Sequence, residues 1–173
     1  LDFLPEAKAV VNPNRRDCLY PFKGLAGVGV AFKVVQAVSQ EFLSEKERRY
    51  YLNSLLDLVA LGTIADIAPV LGENRVLIRR GLQILKSTKR LGLDKLKLVS
   101  GVSDKSITST VVGYQIGPRI NVAGRMSSPD IALDLLLANT EKEALELAQN
   151  LNDLNLQRQY LQHEAVDDAD KMV

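Results

Sequence analysis

Apolar residues recur at helical spacing along most of the chain. Between Gly27 and Phe42 they fall at Val28, Phe32, Val35, Val38 and Phe42, the three-four step of an amphipathic helix. The tetrapeptide SEKE (44–47) is a capping box, in which Ser44 caps a second helix while Glu47 reaches back to it. That helix carries YYLNSLLDLVAL. Its second half is apolar nearly all round, which predicts burial on most sides, with Gly62 as its stop. A third helix starts near Glu73, with Leu77, Ile78, Leu82 and Leu85 inward and Arg75, Arg79 and Lys86 on another face. SDKSITSTVVGYQIGP (103–118) predicts a short helix with Ile107, Val111 and Tyr114 inward, ended by Gly117-Pro118. Ser128-Pro129 opens a helix through DIALDLLLA. A second capping box, TEKE (140–143), starts the longest helix, whose stripe is Ala144, Leu147, Leu151, Leu154 and Leu161, broken by Arg158. Roughly 30 residues at about 1.5 Å each would reach about 45 Å, so this helix projects or bridges to another module.

One run has a different pattern. AKAVVNP (7–13) is short, apolar and closed by Asn-Pro, and it predicts a strand. A single strand cannot make a sheet, so its partners are expected elsewhere and the chain is expected to be part of something longer.

Composition narrows the function classes. The 173 residues are 46% hydrophobic, enough for one domain or one domain with an appendage. No apolar run approaches the roughly 20 residues of a membrane span. A single cysteine, Cys18, and a single histidine, His163, argue against an internal disulfide and against a zinc site built from this chain. His163 falls on a polar stretch and reads as a solvated side chain. GVGVAF (27–32) departs from the dinucleotide fingerprint at Phe32. No Ser-His-Asp or Cys-His set can be assembled.

The net charge of +1 conceals an asymmetry. Arg75, Arg79, Arg80, Lys86, Lys89, Arg90, Lys95 and Lys97 are interrupted by one acid, Asp94, while the segment from Asp130 to Asp170 is strongly acidic. A basic block fits a phosphate-facing surface and equally a solvated helix face.

Two segments carry candidate chemistry. In LVALGTIADIAPV (58–70) a lone carboxylate, Asp66, interrupts an apolar run. Such a group is costly in apolar surroundings, and past the C-terminal end of a helix it faces the wrong end of the dipole. A divalent cation such as Mg²⁺ or Mn²⁺ would offset both penalties. A plain turn cap before Pro69 remains the alternative. In GPRINVAGR (117–125), Arg119, Asn121 and Arg125 stand among small residues, a loop suited to gripping phosphate. Alternatively, one of these arginines pairs with an acid of the long helix.

Taken together, AVVNP, YPFKGLAGVGVAFK, LDLVALGTIADIAPVLGENRVLIRRGL, GYQIGPRINVAGRM and ALELAQNLNDLNLQRQ resemble, in this order, the RecJ single-strand-specific DNA exonucleases of the DHH phosphoesterase superfamily. The resemblance spans about Ala9 to Gln159. It implies an α/β fold by family, a DHH domain with a parallel sheet. This fragment would then be predominantly α-helical with one or two short strands and a long C-terminal helix. Residues 1–138 would be the C-terminal part of the DHH domain, and 139–173 a connector helix toward a missing DHH-associated domain.

The activity implied is metal-dependent 5′-to-3′ hydrolysis of single-stranded DNA in repair and recombination. By resemblance Asp66 is a ligand of a pair of divalent cations, Mn²⁺ or Mg²⁺. Arg125, with Arg119 and Asn121 beside it, would lie close to the DNA phosphates at the cleavage site; Arg75, in GENR, matches a further family motif, and the basic stripe that includes Arg75 and Arg79 would track the strand electrostatically. The name-giving Asp-His-His and the earlier aspartate motifs do not occur here. The fragment alone is therefore expected to be inactive, and whether it holds the cations by itself stays open. The expected partner is single-stranded DNA, with repair helicases and single-strand-binding proteins as candidates, in a monomeric cytoplasmic enzyme without membrane association. Two other readings are a DHH-superfamily phosphoesterase acting on short oligonucleotides or cyclic dinucleotides, and a non-catalytic helical interaction module.

Overall fold

A computed structural model of the chain describes residues 4–102 and 107–171. It divides into two compact units, Leu1–Ile84 and Leu85–Val173. Among the described residues all regular structure is helical. The expected strand at 7–13 does not form. Without a neighbouring strand its peptide groups have no ladder to join, and Arg15 Nη1 donates instead to the Val10 carbonyl at 3.1 Å. No helix among the described residues is long and apolar enough to cross a membrane.

In the first unit, α1 (Gly27–Phe42) packs along α2 (Glu45–Ala65), and α3 (Gly72–Lys86) begins there. Phe32, Leu56 and Val59 form the core, with Val28, Leu52, Leu55, Leu77 and Ile84 packed against it. The first capping box is present in full: Ser44 Oγ accepts from Glu47 N, and Glu47 Oε2 accepts from Ser44 N at 3.0 Å. Gly62 does not end α2. The helix runs through it, and Val28 of α1 fills the space where a Cβ would stand. The outer end of the α1 stripe is open, with Val38 and Phe42 exposed beside Tyr50 and Tyr51.

In the second unit, α4 (Leu91–Val99), α6 (Gly117–Asn121), α7 (Ala123–Met126) and α8 (Asp130–Leu137) all pack on α9 (Glu141–Asp170). α9 is 30 residues long, as its spacing predicted. Thr140 caps it by accepting from Glu143 N, but Glu143 Oε2 reaches Asn139 N rather than closing the box on Thr140. Its buried positions are Ala144, Ala148, Leu151 and Asn155. From Gln159 to Lys171 every residue is exposed.

The segment predicted as a helix over 103–118 is more elaborate. SDKS (103–106) lies outside the described residues. A short turn, α5 (Ser109–Val111), leads into a π-helical turn at Val112–Ile116 and then directly into α6, through Gly117-Pro118. Proline has no N–H to give the preceding turn, and the wider π turn takes up the break, with Gly117 N bonding Val112 O. Ile107 is buried, but Tyr114 points outward.

Candidate functional site

Asp66 closes α2. It is the last residue with helical backbone angles before the chain turns (φ −83°, ψ 0°). Ile67 then adopts φ 54°, in the left-handed region. Ala68 N bonds Thr63 O at 3.2 Å and Ile67 N bonds Ile64 O at 3.0 Å. This pair of bonds is a Schellman motif, normally completed by glycine at the residue occupied here by Ile67. The buried part of the segment ends one turn earlier, at Thr63, and Asp66 is exposed. Water therefore solvates the carboxylate, and the burial penalty expected from the apolar pattern does not arise. The side chain takes part in no hydrogen bond or ion pair among the described residues. It is an exposed carboxylate on a turn closed by two backbone hydrogen bonds.

Arg75 and Arg79 lie one turn apart on α3, and both are exposed. The basic block that includes them is not one continuous stripe. Lys95 pairs with Glu141 at 3.1 Å, and Lys97 is buried, donating to the Lys86 carbonyl at 3.3 Å and lying 3.5 Å from Asp94. Those two lysines hold the second unit together, whereas Arg75, Arg79, Arg80 and Lys86 face solvent.

Beneath the start of α3, Glu73 accepts from Tyr20 Oη and from Lys33 Nζ, the latter at 2.6 Å. Burial pushes the Glu73 carboxyl up, but the hydrogen bonds from Lys33 and Tyr20, with the lysine's charge, outweigh it and hold the pKa below the ordinary glutamate value. Lys33 borders two cavities of about 330 and 340 Å³ within this unit. Pairs separated by 40 and 53 positions leave no local sequence signal.

The segment carrying Arg119, Asn121 and Arg125 is helical rather than a loop: Arg119 and Asn121 are on α6 and Arg125 on α7. Arg119 is half-buried. Its Nε donates to Asn152 Oδ1 of α9 at 3.0 Å, and its Nη1 to the Gln115 carbonyl at 2.5 Å. Burial draws its pKa below the ordinary arginine value. The long helix thus supplies an amide to this arginine, not an acid. Asn121 and Arg125 are exposed. Asp66, Arg75 and Arg79 belong to the first unit; Arg119, Asn121 and Arg125 belong to the second.

An exposed carboxylate is a suitable oxygen donor for Mg²⁺ or Mn²⁺. Asp66 fits as a single ligand. No cluster of three or more His, Cys, Asp or Glu side chains able to hold a metal occurs among the described residues.

No protein-family model matches the chain. It is 42% identical over 170 residues to the single-stranded-DNA-specific exonuclease RecJ of Bacillus subtilis, covering 98% of this chain and 20% of that protein. To RecJ of Escherichia coli K12 it is 40% identical over 169 residues, covering 93% and 29%. The fold is similar to that of a crystal structure of exonuclease RecJ bound to manganese, with a TM-score of 0.76 and 34% identity over 87% of this chain and 37% of the other. It is also similar to RecJ of Thermus thermophilus in complex with Mg²⁺, with a TM-score of 0.73 and 31% identity over 90% of this chain and 23% of that one. The chain thus spans about a fifth to three tenths of the curated RecJ proteins.

Proposed function

We infer that this chain, a RecJ homologue along nearly its whole length, forms part of a metal-dependent exonuclease that hydrolyses single-stranded DNA. The observation that carries the reading is Asp66: an exposed carboxylate at a helix end, without a side-chain partner among the described residues, in a chain similar to proteins crystallised with Mn²⁺ and Mg²⁺. Two such cations, when bound, supply Lewis-acid stabilisation to the reacting phosphate and its leaving oxygen. Asp66 would hold one or both of them. The other ligands would come from outside the described residues, so this chain contributes one part of the site.

Arg125 and Asn121 would meet the phosphate backbone as exposed donors. Arg119 would act mainly from behind, holding α6 against α9. Arg75 and Arg79 would contact the strand electrostatically, giving binding that weakens with salt. In this reading 1–138 belongs to the catalytic domain and 139–173 to a connector. Digestion proceeds from 5′ to 3′, and the enzyme works in the cytoplasm in repair and recombination.

The test is to place this chain in B. subtilis RecJ in place of the matched segment. The chimera should digest long single-stranded DNA with Mn²⁺, and Asp66→Ala should abolish cleavage while leaving thermal unfolding unchanged. Wild-type cleavage by Asp66→Ala would remove Asp66 from the site. Faster cleavage of dinucleotides than of long strands would move the reading to a short-oligonucleotide phosphoesterase.

A further inference from the structure

The turn that carries Asp66 is anchored from below by one side chain. Asn74, in the first turn of α3, is fully buried. Its Nδ2 donates to the Pro69 carbonyl at 3.0 Å and to the Gly24 carbonyl at 2.7 Å. The first bond grips the turn three residues beyond Asp66, and the second ties it to the segment leading into α1. Pro69 lies so close to Gly24 that an added Cβ there would stand 3.1 Å from Pro69 Cγ. At its other end the turn is closed by the Schellman bonds at Ile67 and Ala68. Asp66 therefore sits on a segment pinned on both sides, and Asn74 reaches that segment from another helix through its side chain. Asn74 Oδ1 has no hydrogen-bond partner among the described residues, so the side chain's hydrogen bonds there are its two donor bonds.

Resting on the metal-ligand reading of Asp66, we propose that Asn74 is a positioning residue: its side-chain amide fixes the Asp66 turn in the geometry that a cation-binding carboxylate needs, without touching metal or DNA. Both bonds act on backbone carbonyls, at Pro69 and Gly24, and not on the carboxylate itself. Their effect is to narrow the range of directions the carboxylate explores, which lowers the ordering cost of binding a cation.

The test has two parts. In this chain, amide hydrogen exchange of Asn74→Ala should accelerate at Ile67, Ala68 and Leu71 by about tenfold or more, while the mid-α2 amides of Val59 and Leu61 keep their protection. Unchanged exchange in the turn, or equal acceleration at all these amides, overturns the proposal. In the B. subtilis RecJ chimera, Asn74→Ala should raise the half-saturating Mn²⁺ concentration by about fivefold or more, a readout that a loss of global stability alone does not move. An unchanged Mn²⁺ requirement overturns it. Gly24→Ala, which presses on Pro69 from the other side, provides a gentler variant if Asn74→Ala fails to fold. It should shift exchange and Mn²⁺ requirement in the same direction by a smaller factor, and wild-type behaviour in both overturns the proposal. Asp66→Ala separates this from the underlying reading, since cleavage by that variant defeats the site assignment and not the anchoring of the turn.

Discussion

Arg119 of α6 donates from Nε to Asn152 Oδ1 of α9 at 3.0 Å, so the long helix holds the arginine-bearing segment by a side-chain bond. With Nη1 also engaged at the Gln115 carbonyl, two of the donor nitrogens of this guanidinium are committed to the protein. Arg125, one helix further on, is exposed.

The two arginines should therefore separate on mutation. Arg119→Ala removes two bonds from a half-buried site and should cost about 1–3 kcal/mol, read by urea denaturation. Arg125→Ala should change stability by less than about 0.5 kcal/mol. On the proposed phosphate-contacting role of Arg125, the substitution in the B. subtilis RecJ chimera should instead weaken single-stranded DNA binding and flatten the log-log salt dependence of affinity by about 0.7, the increment for one phosphate contact on a single strand. Equal effects of the two substitutions on stability would contradict this division.

Ile67 makes a second prediction. A β-branched residue in the left-handed region is strained by roughly 1–2 kcal/mol. Ile67 is 90% exposed, so its side chain recovers almost none of that by burial. Ile67→Gly should raise stability by about 1 kcal/mol, since glycine is the residue this helix end favours. A lower melting temperature for the variant would show that the isoleucine does something for the fold that its exposure conceals.

The same residue explains why the end of α2 was not legible in the sequence. Gly62 reads as the stop because glycine usually takes the left-handed position, but it serves helix packing, and Ile67 takes that position instead. What could be read was whatever depends on short spacing: the extents of α1 and α9, and the Ser44 box. The π-helical turn and the helical arginine segment were not readable, because Gly117-Pro118 signals a break that the wider turn absorbs. The apolar run at 7–13 forms no strand, since such a run becomes one only where a partner strand is available. Asp66 stands out in the pattern as a carboxylate in an apolar run, although in the fold the run leaves it exposed. Asn74 was readable in principle: it falls in step with Ile78, Gly81 and Leu85 on the buried face of α3, so a polar residue on that face signals a bond to be made.

Asn155 occupies the matching position on α9, in step with Ala144, Ala148 and Leu151, and it is 1% exposed. Unlike Asn74, it has neither side-chain nitrogen nor oxygen paired among the described residues. Burying an amide without partners costs about 1–3 kcal/mol on protein mutational scales. Asn155→Leu, which keeps the branched shape and removes the polar atoms, should stabilise the second unit by an amount of that order where the site accommodates the larger methyl groups, read as a higher urea midpoint with unchanged slope. A destabilised variant would mean that the amide is bonded in solution.

The Tyr20–Glu73–Lys33 group makes the stability of the first unit depend on pH at both extremes. Glu73 has a depressed pKa: burial opposes its charge, but the bonds from Lys33 and Tyr20 prevail. Such a carboxylate stabilises the fold above its unfolded value of 4.5, and the effect is lost as pH falls through the folded value. Lys33 is raised, since its bonds to Glu73 and Tyr20 outweigh burial, and Tyr20 is raised by burial and by its bond to Glu73. Groups with raised values stabilise fully below their unfolded values of 10.5 and 10.0, and lose that effect as pH climbs through the folded ones. The contribution of the trio is therefore complete between pH 4.5 and 10.0 and fades on either side. Glu73→Gln keeps the size of the side chain and removes its charge. Its urea midpoint should lie below that of the wild type at neutral pH and converge with it toward both extremes. A gap that stayed constant from neutral pH into the acid limb would mean that the carboxylate's charge contributes nothing there and that only the shape of the side chain matters.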